Sequence, residues 1–132
     1  MKKEKKRILL VEDASLFREV IKGYLQSEGY DVMTAVNGAE ALETASRAGH
    51  LDLVISDLDM PVMDGWTFAG KLREKEQYRS LPIIALTALD PEEAEQLTLD
   101  KGFVGFEPKL NRERLLGKVA GLLGTESHKE QE

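Results

Sequence analysis

Ile8-Leu9-Leu10-Val11-Glu12-Asp13 is the stretch whose reading decides the fold. Four consecutive apolar residues are too few for a buried helix and show no alternation of wet and dry faces. They read as a strand covered on both sides, which is the condition of a parallel sheet. The run stops abruptly at two carboxylates. The pattern recurs along the chain. Run 53–55 is followed by Ser56-Asp57, run 83–86 by Thr87, and run 103–106 leads towards Lys109. The run 32–36, with Met33 and Thr34 in it, is more mixed and suits a strand nearer an edge.

Helical patterns lie between the runs. Leu16, Phe17, Val20, Ile21, Tyr24 and Leu25 recur on one helical face, with Gly29 as the stop. Ala39, Leu42 and Ala45 form a smaller stripe before Gly49, and Phe68 and Leu72 anchor a third. Asp90-Pro91-Glu92-Glu93 predicts a helix start, with an N-cap acid, proline at the first position and glutamate at the third. The last stripe is Leu115, Leu116, Val119, Leu122 and Leu123, capped by Asn111 and ended by Gly124. Five βα units in succession demand an α/β fold. Right-handed crossovers leave few topologies, and a doubly wound five-stranded parallel sheet, strand order 2-1-3-4-5, is the leading one.

Composition bounds the rest. The chain has 132 residues, enough for one domain. Cys is 0, which excludes a disulfide framework and thiolate chemistry, and the two histidines, His50 and His128, stand far apart. The net charge is −6. Residues 2–7 carry five cations against Glu4, a local +4, so the body is near −10 and unsuited to nucleic acid. No apolar run approaches the ~20 residues of a membrane span, and none follows the basic start as in a signal peptide. The expected organisation is a basic lead-in over 1–6, one domain over 7–124 and a polar tail over 125–132, in a cytoplasmic protein with no nucleic-acid or membrane partner.

In folds of this kind, ligands bind outside the carboxyl ends of the strands. Glu12, Asp13, Asp57, Thr87 and Lys109 converge there from four separate elements. Each alone is an ordinary turn, cap or surface residue. Together they place three carboxylates, a hydroxyl and an ammonium on one rim. Clustered carboxylates raise one another's pKa, and a hard divalent cation relieves them. Mg²⁺ (or Mn²⁺) is the expected metal, on Glu12, Asp13 and Asp57. A carboxylate beside such a cation can attack phosphorus to give an acyl phosphate, with Lys109 neutralising charge and Thr87 donating a hydrogen bond. Other nucleotide sites are excluded. No G-x-G-x-x-G follows the first strand, and no G-x-x-x-x-G-K-[ST] or G-x-S-x-G occurs.

Ile8 to Asp13, Asp57-Leu58-Asp59-Met60-Pro61-Val62-Met63-Asp64-Gly65, Leu81 to Ala88, and Lys109 together resemble the response-regulator receiver domain of two-component systems, over nearly the whole chain. The resemblance implies a flavodoxin-like (βα)5 fold. It implies Asp57 as phosphoacceptor; Glu12, Asp13, Asp57 and the backbone carbonyl of Asp59 as metal ligands; and Thr87, Ala88, Lys109 and Phe106 as phosphate-binding and switch positions. Pro61 and Gly65 shape the loop. A histidine kinase or histidine phosphotransfer domain is the implied donor, and a downstream protein the implied target, on the 90–123 face. The implied role is a phosphoacceptor signalling domain and not an enzyme acting on other substrates.

The segment from Phe106 to Leu116 is similar to receivers joined to chemotaxis-type hybrid histidine kinases, which makes the chain a fragment; a free-standing receiver suits the length equally. Two departures stand out. Phe106 lacks the hydroxyl of some relatives, and Glu107-Pro108-Lys109-Leu110 replaces the family's Lys-Pro order. The second predicts a trans Lys109–Leu110 bond with the Lys109 ammonium still reaching Asp57. Two alternatives remain at this point. One is a haloacid-dehalogenase-like phosphatase using Asp57 and Asp59, and the other a pseudo-receiver scaffold that never takes phosphate.

Overall fold

A computed structural model describes residues 5–88, 92, 93, 96 and 102–125. Five strands, β1 (Arg7–Val11), β2 (Asp31–Ala35), β3 (Leu53–Asp57), β4 (Ile83–Leu86) and β5 (Gly105–Glu107), form one parallel sheet in the order β2-β1-β3-β4-β5. The described helices are α1 (Ser15–Ser27), α2 (Gly38–Ala48), α3 (Gly65–Arg73) and α4 (Arg112–Leu123), with a short 3-10 turn at Glu76–Tyr78. The expected fold and strand order are therefore found. The helix start expected at Asp90-Pro91 lies outside the described residues, although Glu92, Glu93 and Gln96 are helical.

Strand alternation explains why the apolar runs are unbroken. Leu9, Val11, Val54, Ile83 and Ala85 point to one face, where they meet Ala41, Ala45, Phe68 and Leu72 of α2 and α3. Ile8, Leu10, Ile55, Ile84 and Leu86 point to the other, against Ile21 and Leu25 of α1 and Leu115, Leu116 and Val119 of α4. Both sets are fully or almost fully buried, each side chain contributing roughly 1.5–3 kcal/mol over an exposed one.

Helix ends follow local chemistry. Asn37 accepts from the Glu40 N–H at 2.8 Å while Glu40 accepts from the Val36 N–H at 3.2 Å, a reciprocal cap on α2. Asn111 caps α4 through Arg114 N–H, as expected, and Asp64 caps α3 through Thr67 N–H. Gly124 ends α4 with φ +69. Below the sheet, the Arg73 guanidinium donates to the carbonyls of Tyr78, Leu81 and Gly102, tying α3 to the segment that enters β5.

Some expectations need correction. The buried stripe of α2 is Gly38, Ala41, Thr44 and Ala45, so Ala39 and Leu42 only flank it. Small residues form that face because the loop after β3 seats on it: a Cβ on Gly38 would stand 2.9 Å from Met63 Cγ. Leu16 is 71% exposed, since it lies at the free upper end of α1, and Leu122 is exposed at the margin of α4. The last strand begins two residues later than expected. Gly102 turns the chain with φ +84, Phe103 drops into the core before pairing begins, and Val104 is exposed. Lys118 of α4 lies across Gly105, with Nζ 3.0 Å from where a Cβ would be.

Candidate functional site

Register brings the strand ends together. Val11 pairs with Ser56, Ser56 with Ala85, and Ala85 with Phe106; one step on, Asp57 pairs with Leu86 and Leu86 with Glu107. Glu12 and Asp57 therefore emerge on one level, with Thr87 one residue further on and Lys109 just beyond. Hydrogen bonds continue past the strands. Glu12 N–H donates to Ala35 O at 3.0 Å, Leu58 N–H to Leu86 O at 3.2 Å, and Thr87 N–H to Glu107 O at 3.1 Å. These fix the backbones from which the functional side chains project.

Asp57 is 1% exposed. Its Oδ2 accepts from Lys109 Nζ at 2.9 Å, and its Oδ1 accepts from the Asp59 N–H at 3.2 Å. Glu12 is fully buried, and its Oε2 accepts from the Ala14 N–H at 3.1 Å. Its Oε1 lies 3.4 Å from Lys109 Nζ, within ion-pair range, but makes no hydrogen bond. Asp13 is exposed at the rim. One carboxylate oxygen from each of Glu12, Asp13 and Asp57 lies within 4.8 Å of the other two.

The electrostatics are those of a site short of positive charge. Burial first, and then the Asp57 charge, push the Glu12 carboxyl up from 4.5 to about 7 against the pull of the Ala14 N–H and Lys109. Burial pulls Lys109 down, but Asp57 and Glu12 outweigh it and hold the ammonium above its ordinary value. The ammonium also stands 5.1 Å from the centre of the Phe17 ring. A buried carboxylate oxygen without a hydrogen bond, within reach of two further hard oxygen donors, fits a small divalent cation such as Mg²⁺.

The loop after β3 is built for close approach. A Cβ on Gly65 would collide with the Asp57 carbonyl oxygen and stand 2.8 Å from Leu58 Cα, so only glycine fits. Met63 N–H bonds back to Pro61 O at 2.7 Å across Val62, whose φ is +71. This is a γ-turn, strained for a β-branched residue. Pro61 is exposed within it.

On the Lys109 side, Phe17, Thr87, Ala88, Phe106, Pro108, Lys109 and Leu110 line a pocket of about 470 Å³. Thr87 is buried, and Phe106 is half-buried against the core under α2 and α3. No peptide bond among the described residues is cis, so Lys109–Leu110 is trans and Lys109 nevertheless reaches Asp57, as its local sequence predicts. Three participants were not singled out from sequence. Phe17 packs on the ammonium. Arg18 donates to the carbonyls of Glu12 and Asp13. Glu107, 5% exposed, pairs with Arg114 of α4 at 2.8 Å.

Residues 8–120 match the family model described as the response regulator receiver domain. The chain belongs to that family: it is a receiver domain of two-component signalling. The chemotaxis response regulator CheY4 of Vibrio cholerae superposes with a TM-score of 0.84 at 36% identity, covering 91% of this chain and all of that one. The receiver domain of the sensor histidine kinase PA1611 of Pseudomonas aeruginosa, solved with a magnesium ion in its active-site cleft, gives 0.83 at 32% identity, covering 92% and 100%. The sensor histidine kinase CheAY of Helicobacter pylori is 35% identical over 61% of this chain, a stretch amounting to 10% of its own length. The chain thus spans only a small part of that relative. Family membership sets aside the haloacid-dehalogenase-like phosphatase reading.

Proposed function

We propose that Asp57 accepts a phosphoryl group from a phosphohistidine donor, and that the modified site switches a protein-binding surface. The observation that carries this is the buried Asp57 carboxylate, held by Lys109 at 2.9 Å beside two further carboxylates. An Asp57 oxygen attacks phosphorus; the O–P bond forms as the P–N bond to the donor imidazole breaks, and the electron pair leaves with the imidazole nitrogen. Lys109 pairs with one phosphoryl oxygen, while the Thr87 hydroxyl and Ala88 N–H donate to others. Glu12, Asp13, Asp57 and the Asp59 carbonyl would hold Mg²⁺, or Mn²⁺ in its place. The metal supplies neutralisation of the charge gathering on the phosphoryl oxygens.

The unit taking part is residues 7–124, working in the cytoplasm. A histidine kinase or histidine phosphotransfer domain is its donor, and its catalysis is confined to its own phosphorylation and dephosphorylation. Output passes to a protein on the 90–123 face, with Thr87 and Phe106 as the switch positions, while Pro61 and Gly65 shape the loop after β3. Incubation with a small phosphodonor and Mg²⁺, followed by intact-mass measurement, tests the reading. A single phosphoryl increment is expected, absent in Asp57→Asn and in excess chelator. An increment that survives either change overturns the assignment, and no increment at all in the parent favours a scaffold that never takes phosphate.

A further inference from the structure

The turn between β1 and α1 carries two of the three site carboxylates, yet it has little to hold it still. Ala14 occupies the N-cap of α1 and offers no side-chain acceptor. Asp13 is exposed. What spans the turn is Arg18, half-buried on the first turns of α1. Its Nη1 donates to Glu12 O at 3.0 Å and to Asp13 O at 3.4 Å. The guanidinium therefore gathers two consecutive carbonyls to one side. Glu12 is fixed at the opposite side of the same turn by its own N–H on Ala35 O and by its Oε2 on Ala14 N–H. One carboxylate oxygen from each of Glu12 and Asp13 lies within 4.8 Å of the other and of an Asp57 oxygen.

We propose that Arg18 is a positioning residue for the divalent-cation site, acting through the backbone of Glu12 and Asp13. This rests on the reading of those carboxylates as metal ligands. Charge and geometry predict opposite signs here. Arg18 is a cation near a cation site, so as a bare charge it weakens metal binding, and its removal would tighten it. As a clamp that orients the ligands it strengthens binding, and its removal weakens it. Groups that orient metal ligands without touching the metal are worth about 10–100-fold in affinity, and we place Arg18 at the lower end because it holds carbonyls and not the ligating oxygens.

The test is calorimetric titration of Mg²⁺ into the parent, Arg18→Met and Arg18→Lys, with the metal-free circular dichroism and melting midpoint recorded for each. Met keeps the stem and removes both donors and charge. Lys keeps one flexible donor. The expected result is about tenfold weaker Mg²⁺ binding in Arg18→Met, an intermediate loss in Arg18→Lys, and unchanged metal-free spectra. If Arg18→Met does not fold, Arg18→Gln is read by the same criterion. Binding in the neutral variant as tight as the parent's, or tighter, overturns the inference while leaving the site reading intact. A parent that binds no Mg²⁺ overturns the site reading, and the inference with it.

Discussion

Glu12 bears the cost of the site most directly. Its carboxyl is buried beside Asp57 and is raised from 4.5 to about 7, burial being the larger cause. Between those values the native protein holds a proton that the unfolded chain releases. Stability from this group is therefore full below pH 4.5 and is lost as pH rises to about 7. Each tenfold change in proton affinity is worth ~1.4 kcal/mol, so the loss amounts to roughly 2–3 kcal/mol. Denaturant titrations in chelator from pH 5 to 7.5 should show it, and Glu12→Gln should flatten the dependence and raise stability at neutral pH. A Glu12→Gln curve parallel to the parent's would contradict this. Glu12, Asp57, Thr87 and Lys109 were legible in the sequence because each closes or follows an apolar run. Arg18 was not, since an arginine on the polar face of an amphipathic helix looks the same whether it meets water or two carbonyls.

Among the elements, the loop after β3 is the most demanding. Gly65→Ala pushes a methyl group into the Asp57 carbonyl and Leu58. We expect a loss of about 1–3 kcal/mol together with slowed phosphoryl uptake, read by denaturant melts and by mass. Val62 is the reverse case. A β-branched residue at φ +71 costs of order 1–3 kcal/mol, whereas glycine there costs only ~0.4–1 kcal/mol in added unfolded-state freedom. Val62→Gly should therefore raise stability by about 1 kcal/mol, and a lowered midpoint would refute the strain. Among the described residues, element identity came through from sequence because the short apolar runs and the helical stripes differ in both period and length. Boundaries did not. Asn37-x-x-Glu40 is a capping signature that marks where α2 begins. The buried α2 stripe differs from the expected one because a face of Gly, Ala and Thr is invisible to a count of large apolar residues. The Glu107–Arg114 pair depends on how β5 meets α4, which no local pattern encodes.

At the scale of the molecule, the candidate metal rim and the fold are one system, since the carboxylates follow β1 and end β3, adjacent strands in the middle of the sheet. A cation that binds only the native state adds about 2.7 kcal/mol at a hundredfold excess over Kd. Thermal melts should rise by several degrees in millimolar Mg²⁺. Asp13→Ala should lose most of that rise with little change in the metal-free midpoint, because its side chain is exposed. An equal rise in both proteins would count against the site. The far margin of the sheet matters for a different reason. β5 is three residues long, with no further strand beside it among the described residues, and such a margin is a template on which a second chain can stack. The Lys118 ammonium sits over it because Gly105 leaves the room. That one missing side chain thus bears on colloidal behaviour: concentrated protein should stay dispersed, whereas Gly105→Val, by evicting the lysine, should bring on strand-to-strand aggregation, visible as rising light scatter and thioflavin fluorescence on gentle heating.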